Sequence, residues 1–260
     1  MGKNCINVLS LVIACFFSTL AISQTIIQDY GEKKNGFVQI GDSEDDVLEY
    51  IQKGYTLAVP DKDPIKGVVI FLEDSGFDKM NKSAQQIYKE ANQNGYAVLS
   101  VSTEISLDFF FSEKSVQDAN DTIQRAFLHN NLPNKNVFLI GVGLSGHRAL
   151  TYVKFEKKNK PKFKLNLTGF IICDAPLDWV RQYNEGKRDV RINFDDGAVW
   201  EGSFSNYVLK DNLKGTPETD LDSYLNFSTY SYFDEKDRHI QYFKDYPVRT
   251  YMEIAIQYWL

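Results

Sequence analysis

A glycine-flanked turn beside a serine is the part of this sequence best suited to chemistry. The segment FLIGVGLSGHRAL, residues 138–150, places an apolar run before Gly141, Gly143, Ser145 and Gly146 and a helix-like run after them. A serine held on a sharp turn between a strand and a helix can attack an acyl carbon while backbone N–H groups hold the developing oxyanion. The residue at the tip of the turn, Gly143 or Ser145, therefore decides whether the turn carries a nucleophile.

A serine nucleophile needs a general base, and the sequence has only three histidines. His129 ends the helix predicted before the turn, and His239 falls within the charged run DEKDRHIQYFK, so we expect both to cap helices or lie on solvated faces. His147 is in the first turn of the helix after Ser145, too close in sequence to serve as the usual base. None of the three occupies an obvious place for the base.

Asp174 and Asp178 are the candidate acids that could orient a base. Both follow the apolar run LTGFIIC in the segment CDAPLDW, and the sites of α/β proteins lie outside the carboxyl ends of parallel strands. The alternative is structural, because an aspartate beside Pro176 suits a turn or a helix N-cap. We favour the structural interpretation for both residues.

Short apolar runs alternate with amphipathic stretches along the middle of the chain. The predicted strands cover residues 66–72, 96–102, 136–142 and 167–173, and the predicted helices cover residues 83–95, 115–131 and 145–158. This alternation indicates right-handed βαβ crossovers. The predicted fold class is therefore α/β, with a doubly wound, mostly parallel sheet.

Residues 175–232 differ from this pattern, since they are rich in Asp, Asn, Gly and Tyr and lack clear periodicity. The segment is too long for an ordinary connection, so we expect helices of its own and a cap over the sheet. Its aromatic side chains suit cap packing or a ligand pocket, and packing is slightly favoured; they are Trp179, Tyr183, Trp200, Phe204, Tyr207 and Tyr224. The pattern of residues 234–244 predicts a further helix.

The alternation, the turn and the inserted cap resemble the α/β-hydrolase superfamily of serine esterases and peptidases over most of residues 40–260. The family carries its nucleophile as the serine of a G-x-S-x-G motif. In the alignment that needs no gap, Gly141 is the first glycine of this motif and Gly143 stands at the serine position, so the nucleophile is lost. The resemblance then implies that the backbone N–H of Leu144 is an oxyanion donor. In the second alignment, Gly143 is the first glycine of the motif and Ser145 is the nucleophile.

Two features depart from the family pattern. The loop EDSGF places Glu73 and Asp74 where carboxylates would oppose an oxyanion. The run PVRTYMEIAIQYWL resembles the seventh strand of the family, with Glu253 as its only carboxylate. We therefore expect the last strand and helix of the family to be missing, and the apolar sheet edge to be available for pairing with a strand of another chain.

Residues 1–23 have the layout of a secretory signal peptide, with a basic start, an apolar run and Ala21-Ile22-Ser23 before Gln24. We expect an α/β-hydrolase-like domain over residues 24–260, secreted or periplasmic, and an uncleaved membrane anchor is the alternative. Cleavage leaves Cys173 as the only cysteine, which we expect to be buried.

The formal net charge of −6 argues against a nucleic-acid surface. No metal or organic cofactor is predicted, because the histidines lack ligand spacing and no glycine-rich dinucleotide motif follows the first clear strand. The sequence predicts a secreted protein derived from a serine esterase or peptidase, catalytically impaired or inactive, that acts, if at all, by binding a small molecule, a peptide or a partner. The alternative is an active hydrolase that uses Ser145.

Overall fold

The structure is a computed structural model that describes residues 25–31, 37–39, 47–49, 53–73, 82–103 and 108–251. The predicted signal peptide, Asp74 and Glu253 lie outside these ranges. No described helix is both long enough and apolar enough to span a bilayer.

A seven-stranded sheet forms the centre of the described fold. Its strands are β1 (Thr25–Tyr30), β4 (Gly54–Val59), β5 (Gly67–Phe71), β6 (Tyr96–Ser102), β7 (Val137–Val142), β8 (Leu167–Cys173) and β9 (Val248–Tyr251). They lie in the order β1-β4-β6-β5-β7-β8-β9. Strands β5 to β9 pair in parallel, whereas β4 is antiparallel to β1 and β6. Strands β2 (Phe37–Gln39) and β3 (Val47–Glu49) form a separate antiparallel pair.

Helices cover both faces of this sheet. They are α1 (Lys82–Gln93), α2 (Glu113–His129), α3 (Leu144–Asn159), α4 (Trp179–Ile192), α5 (Asp196–Leu213) and α6 (Leu221–Phe227). Alternate side chains of β5 point to opposite faces: Val68 and Ile70 join the core that includes α2 and α3, while Val69 and Phe71 join the core that includes α1. The predicted doubly wound, mostly parallel α/β sheet is confirmed.

The sequence pattern predicted no strand before residue 66, whereas the structure has four there, β1 to β4. Two of them, β1 and β4, belong to the central sheet. Polar residues such as Thr56 interrupt the apolar pattern of β4, yet Thr56 is buried and its Oγ1 lies 2.6 Å from Tyr30 Oη on β1. The cross-strand partner satisfies the hydroxyl, so the strand forms despite its weak hydrophobic signal.

The helix predicted for residues 234–244 is wrong. The structure has turns there and only a short 3₁₀ helix, Ile240–Tyr242. The Asp234 carboxylate accepts hydrogen bonds from the backbone N–H groups of Lys236 and Arg238, and Asp237 adopts a left-handed φ of 45°. Local bonds from an aspartate side chain compete with the helical pattern and produce the turn.

The segment 175–232 contains helices α4, α5 and α6, which pack on a buried aromatic cluster. The cluster includes Phe109, from the loop after β6, and Leu144, at the start of α3, packs against it. Trp179, Tyr183, Phe204 and Tyr224 are buried in it, whereas Trp200 and Tyr207 are exposed. Four of the six aromatic residues singled out in the sequence therefore pack inside the cap.

Strand β9 ends the described sheet, and Val248 is 48% exposed. Residues 252–260 lie outside the described part. Pairing of this edge with another chain, and the absence of a further strand and helix, stay predictions.

Glu156 on α3 makes the stability of the fold dependent on pH. Its Oε1 accepts from Tyr152 Oη at 3.2 Å and from the backbone N–H of Leu165 at 2.8 Å, and burial raises the pKa of the carboxyl from 4.5 to about 7. Because the pKa of Glu156 is higher in the folded than in the unfolded protein, the protonated carboxyl stabilises the fold fully below the unfolded-state pKa. This stabilisation is lost as the pH rises through the folded-state pKa.

The unmodified protein is therefore expected to lose on the order of 3 kcal/mol of stability between about pH 4.5 and pH 7. We expect Glu156→Gln, which has no carboxyl group at this position, not to show this loss. Urea denaturation at several pH values would measure the difference between the two proteins. Glu218→Gln, an exposed glutamate paired with Lys187, is the control. An equal pH slope for the unmodified protein and Glu156→Gln would contradict the expectation.

Candidate active site

Gly143 lies at the tip of the turn between β7 and α3. Its φ of 61° and ψ of −130° fall in a region that residues with a side chain rarely adopt. The Gly143 N–H donates to the carbonyl of Cys173 at 3.0 Å, and its own carbonyl accepts from the N–H of Gly146 at 3.0 Å. The tip is therefore held by backbone bonds, and it carries no side chain that could react.

Gly141 and Gly146 allow the strand and the helix to approach each other closely. A Cβ on Gly141 would lie 2.3 Å from the Cα and N of Gly146, and a Cβ on Gly146 would lie 2.6 Å from the Cβ of Ala175. Both distances are far below van der Waals contact. By contrast, a Cβ on Gly143 would meet no atom of the described residues within 4 Å.

Ser145 is directed back toward the end of β7. It is buried, its Oγ accepts from the N–H of Val142 at 2.8 Å and donates to the carbonyl of Val142 at 2.9 Å. Both bonds hold the hydroxyl against the strand. In this position Oγ closes the turn and is not presented to a substrate.

His147 lies under the cap and is fully buried. Its Nδ1 accepts from Trp179 Nε1 at 3.1 Å, and its Nε2 lies 3.3 Å from Thr151 Oγ1. Burial, with the nearby charges of Lys154 and Arg148, lowers the pKa of His147 from 6.5 to about 3. The imidazole is neutral at ordinary pH and is engaged with the cap.

The other two histidines are far along the chain from the tip and have other partners. The His129 side chain is exposed, with Nδ1 3.9 Å from Asp29 Oδ2, as expected for the end of α2. His239 was expected on a solvated helix face, and this is wrong: it is buried in the turns after α6, with Nε2 3.1 Å from the carbonyl of Leu225.

Asp178 is the N-cap of α4. Its Oδ1 accepts from the N–H groups of Val180 and Arg181 at 3.1 and 3.2 Å, and its Oδ2 accepts from the N–H of Tyr232 at 3.0 Å. The carboxylate thus joins the start of α4 to the chain after α6. Asp174 is exposed directly after β8, with a left-handed φ of 47°.

We expect Asp178→Ala to lower the free energy of unfolding by about 2–3 kcal/mol, because α4 loses its cap and the N–H of Tyr232 loses its acceptor. Chemical denaturation measures this change. Asp195→Ala, which removes the exposed N-cap of α5, is the matched variant and is expected to cost about 1 kcal/mol. Equal losses for the two variants would contradict the bridging role of Asp178.

Arg148 is a site residue that sequence reasoning missed. It is buried on α3, donates from Nε to the carbonyl of Asp108, and donates from Nη1 to the carbonyl of Leu72 at 3.1 Å. These carbonyls belong to the loops after β6 and β5, so the guanidinium joins both loops to the helix that follows the tip. The only sequence signal is a charged residue among small and apolar ones in SGHRAL.

Cys173 was expected to be buried, and it is only partly buried, because it is the last residue of β8, at the carboxyl end of the strand. Its thiol forms no disulfide. Within the described ranges, no group of three His, Cys, Asp or Glu side chains could hold a metal ion.

No family model matches the sequence, and neither does any curated protein. Solved structures similar to this chain include Candida antarctica lipase A, at 18% identity and a TM-score of 0.42 over 62% of this chain and 39% of the lipase. They also include Pyrococcus horikoshii acylaminoacyl peptidase, at 14% identity and a TM-score of 0.47 over 93% of this chain and 38% of the peptidase. A thermostable carboxyl esterase from Bacillus coagulans matches at 10% identity and a TM-score of 0.40, over 89% of this chain and 90% of the esterase.

The chain spans about two fifths of the length of the lipase and the peptidase. These identities and TM-scores decide nothing about chemistry, and the architecture rests on the strand order and directions of the chain itself.

Proposed function

We propose that this protein is a secreted or periplasmic relative of serine esterases and peptidases that has lost hydrolytic activity and acts by binding a small-molecule or peptide ligand. The ligand would lie at the carboxyl edge of the sheet, between the tip at Gly143 and the cap formed by α4, α5 and α6. The observation that carries the proposal is the tip itself, which has a strained backbone and no side chain.

The surroundings of the tip support the loss of hydrolysis. Of the three candidate side chains, Ser145 Oγ is bonded to Val142, Asp178 is bonded to three backbone N–H groups, and Asp174 is exposed. The nearest imidazole in sequence, His147, accepts from Trp179 and is neutral. A hydroxyl without a base and an orienting acid is a weak nucleophile.

The open space at the tip supports binding. A hydrolase turn accommodates the reacting carbonyl group next to its nucleophile, and here no atom of the part of the chain that the structure describes lies within 4 Å of the position that a Cβ on Gly143 would take. Leu144, the first residue of α3, packs against the aromatic cluster of the cap and is partly buried. A bound group at the tip would therefore contact backbone N–H groups on one side and the cap on the other.

Mass spectrometry after exposure to a fluorophosphonate probe tests the proposal. The folded protein and Ser145→Ala are both expected to remain unlabelled. Gly143→Ser is the informative third variant, because it restores a hydroxyl at the tip without a steric clash. Labelling at position 143 in that variant would show that a base still reaches the tip and would contradict the proposed loss of the catalytic base, whereas an unlabelled variant is the result expected when base and nucleophile are both lost. An adduct on Ser145 of the unmodified protein that is lost in Ser145→Ala would refute the proposed loss of the nucleophile.

Ser145→Ala also carries a stability prediction. Removal of the hydroxyl leaves the N–H and carbonyl of Val142 without their bonds to Oγ, at a cost of about 1–3 kcal/mol. Thermal unfolding followed by circular dichroism measures this loss. Ser205→Ala is the control, since that buried serine makes a single long bond, 3.5 Å, to the carbonyl of Gly202. A neutral Ser145→Ala substitution would mean that Oγ does not close the turn.

A further inference from the structure

The edge of the sheet opposite the tip carries a cluster of lysines. The amino ends of the parallel strands β5, β7 and β8 lie side by side there, because these strands are neighbours in the sheet. The loops that lead into β7 and β8, residues 130–136 and 160–166, contain no acidic residue. Their four lysines, which we call the basic edge, are all exposed; they are Lys135, Lys160, Lys162 and Lys164.

Asparagine side chains fasten the loops at this edge to one another. Asn134 Nδ2 donates to the carbonyl of Lys164 at 3.0 Å, and Asn134 Oδ1 accepts from the N–H of Asn166 at 2.8 Å. Asn136 Nδ2 donates to the carbonyl of Lys66, directly before β5, at 2.9 Å. The fold therefore holds the two loops side by side, and their lysines form one surface although they are far apart in the chain.

None of the four lysines has a carboxylate partner among the described residues. By contrast, the nearby Lys157 and Lys158 of α3 are paired with Asp245 and Glu113. The loop before β5, residues 60–66, has two aspartates and two lysines and so carries no net charge. Positive charge is thus concentrated at β7 and β8, in a chain whose formal net charge is −6.

The residue types of the basic edge fit an anionic lipid surface better than an anionic partner of defined shape. Both loops lack arginine, the residue that recognises individual phosphates and nucleic acids through bidentate bonds. Their only aromatic residue, Phe163, is partly buried with its ring centroid 5.7 Å from that of Phe127, so it is not presented for stacking. Lysine ammonium groups act as point charges, and a bilayer of anionic lipids attracts several of them together.

We propose that the basic edge is a peripheral binding surface for bilayers that contain anionic phospholipids, independently of the function proposed for the tip. Contact through this edge leaves the tip, at the carboxyl end of β7, facing away from the lipid. The negative charge of the rest of the chain is repelled by the same surface, which favours this orientation. Attachment through four lysines is weak and depends on ionic strength, because the screening length is about 10 Å at 0.1 M salt.

Co-sedimentation with lipid vesicles measures this attachment. Residues 24–260, which contain every described strand and helix, are mixed at low ionic strength with vesicles of phosphatidylglycerol and phosphatidylcholine in equal amounts. The predicted signal peptide is left out because its apolar run would itself enter lipid. We expect binding that weakens as salt is added, and none to vesicles of phosphatidylcholine alone. No binding to the anionic vesicles at low ionic strength would refute the proposal.

Matched variants separate the basic edge from the net charge of the protein. The test variant combines Lys160→Gln, Lys162→Gln and Lys164→Gln. The control variant makes the same change in charge at exposed lysines outside the two loops, with Lys82→Gln, Lys210→Gln and Lys214→Gln. The test variant is expected to lower the partition coefficient on the order of 100-fold, about fivefold per lysine, and the control variant to lower it much less. Equal losses would mean that binding follows net charge, and would overturn the proposal.

Lys135→Gln tests whether the two loops act as one surface. Lys135 lies near the lysines of the other loop only because β7 and β8 pair, so its replacement is expected to weaken vesicle binding about fivefold, and Lys210→Gln much less. A silent Lys135→Gln would contradict a surface formed by the fold. Retention on immobilised heparin without binding to anionic vesicles would assign the edge to an acidic polysaccharide and refute the lipid proposal.

Discussion

Gly141→Ala is expected to destabilise the fold by about 3–5 kcal/mol. The added Cβ would lie 2.3 Å from the backbone of Gly146, so the end of β7 and the start of α3 would have to move apart. Backbone atoms on both sides leave no flexible side chain to give way. The displacement would also affect the backbone bond from Gly143 to Cys173 that holds the tip.

Gly143→Ala is the matched control two residues away. Its Cβ would meet no atom of the described residues within 4 Å, so the expected cost is that of the positive φ of the tip, about 1–3 kcal/mol. Urea denaturation of both variants, with the far-ultraviolet circular dichroism signal as readout, gives the two losses. If Gly143→Ala costs as much as Gly141→Ala, the close approach of β7 and α3 is not the reason why glycine is needed at position 141.

Trp179→Ala is expected to cost about 3–5 kcal/mol, because it empties the centre of the cap cluster. Trp179 is 1% exposed, and its ring centroid lies 5.3 Å from Phe109, 5.4 Å from Phe227 and 5.0 Å from His147. Its Nε1–H also donates to His147 Nδ1 on α3. The side chain therefore joins α4, the loop after β6 and the helix that follows the tip.

Trp179→Phe separates the hydrogen bond from the packing. The smaller ring retains much of the aromatic contact but leaves His147 Nδ1 without its donor, at a cost of about 1–3 kcal/mol. Trp200→Ala is the control, since Trp200 is 51% exposed and stacks on Phe204 at the surface of the cap. Calorimetric unfolding would measure all three. A loss for Trp200→Ala equal to that for Trp179→Ala would contradict the central position of Trp179.

The contacts of Trp179 also bear on the proposed binding site. The cap is joined to the sheet domain by the buried Trp179–His147 bond, and within the cap the Asp178 carboxylate links α4 to Tyr232. A ligand at the tip would therefore meet a cap held in place by specific bonds, and the Trp179 variants should weaken ligand binding as well as stability.

The sequence by itself determined the parallel part of the sheet and the position of the turn. The strand predicted at 96–102 matches β6, and the one at 167–173 matches β8. Short, largely apolar runs of this length next to turn residues are typical of strands in a parallel sheet covered on both faces, so the local sequence was enough to place them. The spacing of Gly141, Gly143 and Gly146 likewise indicated a sharp strand-to-helix turn, because only glycine allows such an approach.

Only the tertiary structure decided which atoms at the turn are free to react. The direction of Ser145 Oγ depends on the backbone of Val142, and the burial of His239 depends on α3 and α6, to which it is adjacent only in space. The same holds for Arg148, whose carbonyl partners at Leu72 and Asp108 are distant in the chain. Polar side chains are placed by long-range hydrogen bonds, and hydrophobic periodicity carries no information about such bonds.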